Sequence, residues 1–118
     1  MSSSGGVAAA STSNSNENNA ISEVEETMAR ISSHKGVEGV IILTRDGATI
    51  QSSLNDEQTA THAALLSQLA LKAASVVETL DMSDELTFLR LRSRNREVMI
   101  APDKDYLLVV IQNPNATE

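Results

Sequence analysis

Apolar and polar positions change their period along this chain, and each change marks an element. Val24, Met28 and Ile31 recur at i, i+4 and i+7, one stripe of a short helix. Ser22 with Glu25 three residues on makes a capping box at its start, and His34-Lys35-Gly36 supplies basic residues and a glycine stop at its end. Val37–Thr44 is almost uniformly apolar and β-branched apart from Glu38 and Gly39, which predicts a central strand covered on both faces. Asp46-Gly47 predicts a two-residue type I′ turn, after which Ala48–Ser53 returns as a shorter, more polar edge strand. The longest helix is expected from Asn55 or Asp56 to about Thr79. A meander follows: Glu85–Ser93 rich in strand formers, Arg94-Asn95-Arg96 as a turn, Glu97–Ala101 alternating, Pro102-Asp103-Lys104-Asp105 as a break, and Tyr106–Gln112 nearly all apolar.

The long helix carries more apolar surface than one sheet contact needs. Leu65, Leu66, Leu69, Ala73, Val76, Val77 and Leu80 cover one broad side, while Ala60, Ala63, Ala64, Leu71 and Ala74 spread over much of the rest. A helix on a sheet needs about a 100° stripe, so the surplus predicts a second buried contact, with the alanines letting another helix approach closely.

The order helix, strand, strand, helix, strand, strand, strand predicts an α+β domain of about 90 residues. Its antiparallel sheet has Val37–Leu43 and Tyr106–Ile111 as central neighbours, the long helix on one face and the short helix on part of the other. Residues 1–20 are dominated by Ser, Asn, Gly and Ala, with Glu17 as their one charged side chain. They cannot bury enough surface to offset ordering and are expected to form a disordered tail. The domain then covers residues 21–114, with 115–118 as a short C-terminal tail.

Composition narrows the function classes. The chain has no cysteine and a net charge of -7, which removes disulfides and thiolate chemistry and opposes a general polyanion binder. Arg90, Arg92, Arg94 and Arg96 are four of the nine basic residues, at a spacing of two. Phe88 and Tyr106 are the only aromatics, too few for a base-stacking platform, so a charge ladder at a surface is expected and direct nucleic-acid binding is not. The apolar stretch Ala63–Val77 contains Ser67, Gln68 and Lys72 and is too short to span a bilayer. With no secretory address at the N-terminus, a soluble intracellular protein without membrane contact is expected.

No catalytic constellation is evident. His34 and His62 are isolated, Gly36 and Gly39 do not form a phosphate loop, and Asp103 and Asp105 flank Lys104 in a turn whose entry Pro102 fixes. No enzyme, metal site or cofactor is expected.

The words LTFLRLRS, MIAPDKDY and VIQNP, in that order and spacing, resemble the C-terminal half of the roadblock family of dynein light chains. The resemblance continues upstream through VEETMARISSHKGVEGVIILTRDGATIQS and the following helix, so it covers Glu23 to Pro114. It implies a roadblock/profilin-like layered fold whose five-stranded antiparallel sheet has the sequence order 2-1-5-4-3. It also implies a homodimer, or a heterodimer with a paralogue, in which the strand Glu85–Ser93 pairs with its symmetry mate and the long helices pack antiparallel, giving a ten-stranded sheet. Interface residues on this reading are Ala60, Ala63, Ala64, Leu71 and Ala74 of the helix and Glu85, Thr87, Phe88, Leu89, Arg90, Leu91 and Arg92 of the strand. A two-fold axis near Leu89 brings Asp84 and Glu85 toward the partner's Arg92 and Arg94. The implied function is a non-catalytic light chain of cytoplasmic dynein, bound to the dynein intermediate chain through the face near Val24, Met28 and Ile31. Its implied setting is the cytoplasm and the microtubule cytoskeleton. More distant roadblock-like proteins imply an alternative, a scaffold or regulator of small Ras-like GTPases.

Overall fold

The computed structural model describes residues 22–116; the Ser/Asn-rich segment 1–20 and the last two residues lie outside them. The chain falls into two units, one ending at Ser33 and the other starting at His34. The first contains helix α1, residues 22–32. Ser22 is already helical, where the sequence predicted it as the N-cap of a Ser22–Glu25 capping box. Along α1, Val24, Thr27, Met28 and Ile31 are the less exposed positions, the stripe expected from their spacing.

The second unit is a five-stranded antiparallel sheet with one long helix. Its strands are β1 (Val37–Thr44), β2 (Thr49–Ser52), β3 (Leu89–Arg92), β4 (Glu97–Pro102) and β5 (Tyr106–Gln112), and helix α2 spans Asp56–Leu80. The strands lie in the order β2-β1-β5-β4-β3. The two most apolar runs are central neighbours, in register from Gly39 opposite Ile111 to Thr44 opposite Tyr106. One side of that pairing, with Ile41, Leu43, Val109, Ile111, Leu107 and Ile100, packs against Ala63, Leu66 and Ala70 of α2. Full burial of each large side chain stabilises the fold by about 1.5–3 kcal/mol before entropy is counted.

Helix α2 starts where its capping residue dictates. The Asn55 side-chain oxygen accepts a hydrogen bond from the Gln58 amide at 2.8 Å, and Asp56 and Glu57 sit in the first turn, where negative charge suits the helix dipole. By length and composition alone α2 could cross a bilayer, which the shorter stretch Ala63–Val77 did not suggest. Its Ala63, Leu66 and Ala70 are instead buried in the core against the sheet.

One turn and one strand differ from expectation. The β1–β2 connection is not a type I′ turn, because within it Gly47 alone takes positive φ, at +101°, and among the described residues no non-glycine residue does. The Gly47 amide donates to the Thr44 carbonyl and the Thr44 amide to the Ala48 carbonyl, a longer loop whose extra residue is absorbed by a register shift between Ile42 and Leu43. A Cβ at Gly47 would lie 2.9 Å from the Ser67 hydroxyl, so this turn also needs a glycine to lie against α2.

The third strand is shorter than predicted. Pairing starts at Leu89 opposite Ile100, and residues 84–88 carry no strand pairing. Two residues before Leu89, Thr87 would fall opposite Pro102, which has no N–H to donate, so the ladder loses a rung there.

Candidate interaction surface

The surface left open by the sheet and α2 is built around β3. This strand pairs with β4 on one side only, leaving a row of backbone donors and acceptors on the other. Alternation gives its two faces different chemistry. Leu89 and Leu91 share the α2 side with Ile100 and Val98, while Arg90 and Arg92 share the opposite side with Met99 and Glu97.

On the α2 side the surface is apolar and uncovered. Leu91 is 50% exposed although it stands opposite Val98. The buried stripe of α2 is Thr59, Ala63, Leu66, Ser67 and Ala70, which leaves apolar flanks on both sides of it. Along one flank run Leu65, 62% exposed, with Leu69, Val76 and Leu80. Along the other run Ala60 and Ala64, both exposed, and Leu71, 71% exposed. Gln58 and His62 of the Leu65 flank line a groove with Arg96, Ile111, Leu54 and Glu38. Ala60 instead lines a groove with residues 49–52 of β2, and Leu71 and Ala74 line a hollow with Arg45, Leu86, Pro102 and Leu107.

This arrangement corrects the sequence-based division of the helix. Ala63, expected at an interface between helices, is 4% exposed and lies in the protomer core. Leu65, Leu69, Val76 and Leu80, expected on one side with Leu66, are exposed. The reason is helical phase: the stripe of Thr59, Ala63, Leu66, Ser67 and Ala70 faces the sheet, with Ala63 and Ser67 close to Gly47, and Leu65 and Leu69 are turned onto the flank. Of the strand residues, Glu85, Thr87, Phe88, Arg90, Leu91 and Arg92 are exposed and Leu89 is half-buried.

On the opposite face the arginine ladder resolves into distinct roles. Arg90 Nε lies 2.5 Å from Glu97 Oε2, and Gln112 Nε2 donates to Glu97 Oε1 at 2.8 Å. Glu97 is only 3% exposed, so both of its oxygens are engaged where desolvation makes a partner necessary. Arg96 Nε donates to Glu38 at 2.9 Å. Among the described residues Arg92 and Arg94 enter no ion pair. Spacing showed the ladder but not Glu97, since an acid at a strand start reads as solvated until its neighbours are known. The groove containing Glu38, Gln58, His62 and Arg96 was also not legible in the sequence, because its members are far apart in the chain.

Among the described residues no group of His, Asp and Glu is placed to hold a metal ion. His62 Nδ1 lies 2.7 Å from the Gln58 carbonyl of its own helix, the position of a helix-surface residue. Asp103 accepts a hydrogen bond from the Lys104 amide at 2.8 Å, and its own amide donates to the Tyr106 carbonyl at 2.8 Å. Arg45 donates to the Asp103 carbonyl, which ties the β1–β2 and β4–β5 turns at one end of the sheet.

Comparison with solved structures finds the same fold in bacterial proteins. A Roadblock/LC7 domain from Streptomyces avermitilis superposes with a TM-score of 0.70 at 15% identity, over 76% of this chain and 78% of that one. MglB in a tetrameric arrangement gives 0.69 at 13% identity over 80% and 74%, and Myxococcus xanthus MglB gives 0.64 at 15% over 75% and 73%. Residues 23–113 match the Roadblock/LC7 domain family, which is most of the chain, and the protein belongs to that family.

Proposed function

We propose that this protein is a non-catalytic, homodimeric adaptor: a roadblock-type light chain that holds the intermediate chains of cytoplasmic dynein side by side and so supports microtubule-based transport. The observation that carries the reading is that the unpaired edge of β3, with Leu91 half exposed, and the Leu65–Leu69–Val76 flank of α2 are both left uncovered. A second copy related by a two-fold axis extends the sheet edge to edge and covers the leucine flank with its own, so each open feature supplies the partner of the other. A segment that is disordered when free gains affinity from such a dimer, because engagement of its second copy is effectively intramolecular. The family-like words around β3, β4 and β5 support dynein as the setting, with the cytoplasm and the microtubule cytoskeleton as location.

Sedimentation equilibrium tests this, with the chain alone and then with a dynein intermediate-chain fragment. A two-chain mass that shifts to two chains plus two fragments is expected. A strict monomer that binds no fragment overturns the reading.

The second reading is a scaffold or regulator of a small Ras-like GTPase on the same dimer. It is compatible with the fold neighbours, which are roadblock and MglB proteins. A pull-down separates the two: an intermediate chain in one case, a GTPase retained in only one nucleotide state in the other.

A further inference from the structure

We propose that Asp46-Gly47 is a latent site of spontaneous backbone isomerisation, in which aspartate becomes isoaspartate, and that Thr44 keeps it closed in the folded chain. It is the one place in the sequence where Asp or Asn precedes glycine, and glycine has no Cβ to hinder attack of its own amide on the preceding carboxyl. Asp46 is exposed, so water reaches it, and the reaction needs no other reagent. The Gly47 nitrogen bonds to Asp46 Cγ and loses its proton, one carboxyl oxygen leaves as water, and a five-membered succinimide forms. Water then adds back and opens the ring. Opening at the former main-chain carbonyl leaves that group as a free carboxylate and routes the chain through Cγ, one methylene longer.

One residue engages both reacting groups. The Thr44 hydroxyl donates to Asp46 Oδ1, and the Thr44 carbonyl accepts from the Gly47 amide at 3.1 Å. The Ala48 amide donates to that hydroxyl at 2.9 Å, and the Thr44 amide donates to the Ala48 carbonyl at 2.8 Å, which fixes Thr44 in place. Ring closure must break both contacts, since Oδ1 has to turn away for Cγ to meet the nitrogen and the amide has to give up its proton. The hydroxyl also holds the carboxyl below its ordinary value of 3.8, which keeps it ionised, the form less open to attack. The turn has no slack for the product. A Cβ at Gly47 would lie 2.9 Å from the Ser67 hydroxyl, so an added methylene must displace Gly47 from α2 or part Thr44 from Ala48. Isomerisation therefore proceeds from a locally opened turn, and its extent records the time the turn spends open. In the strand order β2-β1-β5-β4-β3 this turn is far from the β3 edge, so the proposal stands apart from the adaptor reading.

The test ages three samples side by side in neutral buffer: the full chain, the full chain in guanidinium chloride, and a synthetic peptide of residues 43–51. Electron-transfer fragmentation of the segment carrying Asp46 separates isoaspartate from aspartate, which have the same mass. The native chain should isomerise at least about tenfold more slowly than the peptide and the denatured sample, a factor that two ordinary hydrogen bonds supply together. Thr44→Val should raise the rate toward that of the peptide, while Thr44→Ser, which keeps the hydroxyl, should stay near the wild type; circular dichroism checks that both are folded. A native chain that isomerises as fast as the peptide overturns the proposal, and so does a folded Thr44→Val variant that ages no faster than the wild type. If Thr44→Val does not fold, hydrogen exchange of the wild type decides. A Gly47 amide protected by the factor that slows isomerisation supports the latch, and one that exchanges at the peptide's rate overturns it.

Discussion

Leu91 stands opposite Val98 across the β3–β4 ladder and shares the α2 side of the sheet with Ile100, yet half of its surface is open to solvent while Ile100 is buried. The difference arises because Ile100 lies in the core that α2 covers, while β3 is the outermost strand and Leu91 lies outside that core. If a second copy covers this edge, each Leu91 is buried once per protomer and counts twice per dimer. At about 1.5–3 kcal/mol for full burial, the exposed half of each Leu91 is worth roughly half as much, so Leu91→Asp should raise the dimer dissociation constant by roughly one to two orders of magnitude. Sedimentation at graded loading concentrations reads this directly, and an unchanged mass at the lowest concentration sinks the proposed seam.

Removal of the buried carboxylate should cost stability within the protomer. Glu97→Ala leaves Arg90 and Gln112 without their acceptor, with an expected loss of about 1–3 kcal/mol. Glu97→Gln keeps one acceptor oxygen and should cost less. Urea unfolding of both variants checks the order, and a Gln variant as unstable as the Ala variant contradicts it.

Gly47 is constrained twice, by its φ of +101° and by the Ser67 hydroxyl 2.9 Å from where a Cβ would stand. Gly47→Ala should destabilise by about 1–2 kcal/mol from the backbone alone. Adding Ser67→Ala should recover the part due to crowding and leave the backbone part. Thermal melts of the single and double variants separate the two contributions.

Loss of the helix cap is a local test of α2. Asn55→Ala removes the acceptor for the Gln58 amide, and about 0.5–2 kcal/mol should follow, with Asn55→Gly costing only a few tenths. Chemical denaturation distinguishes them, and equal losses would assign the effect to something other than the cap.

Acid should act on the β1–β2 turn. The Thr44 hydroxyl, with further help from backbone amides, holds the Asp46 carboxyl below its ordinary value of 3.8. A folded pKa below the unfolded one adds stability that is present above the unfolded value and lost as pH falls through the folded value. Thr44→Val should therefore flatten the acid limb of the melting temperature as pH falls through and below the ordinary value of 3.8. A limb unchanged in slope removes Thr44 as the cause.

Much of the architecture was legible because it rests on local rules. The period of apolar residues located both helices and all five strands, and Asn55 and Gly47 marked a cap and a turn through their own chemistry. Tyr106–Gln112 was placed to the residue, since a buried strand is apolar on both faces and its ends are set by charged or amide groups. The strand order came from the family resemblance, as no local pattern specifies which non-adjacent strands pair.

Only the tertiary structure decided which apolar residues serve the protomer core and which are left exposed. Periodicity grouped Leu65 and Leu69 with Leu66, and Ala63 with the spare alanines; the phase in which α2 meets the sheet buried Ala63 and Leu66 and left the other leucines open. Pro102, across from the start of β3, shortened a strand whose own residues favour extension. The arginines at alternate positions were plain in the sequence, but Glu97 becoming the anchor of Arg90 needed β5 beside β4 to bring Gln112 to its other oxygen. Sequence patterns fix what each residue can do along its own element. Which residues meet depends on how elements far apart in the chain pack, and that is set by the fit of side-chain volumes and the pairing of backbone groups across the sheet.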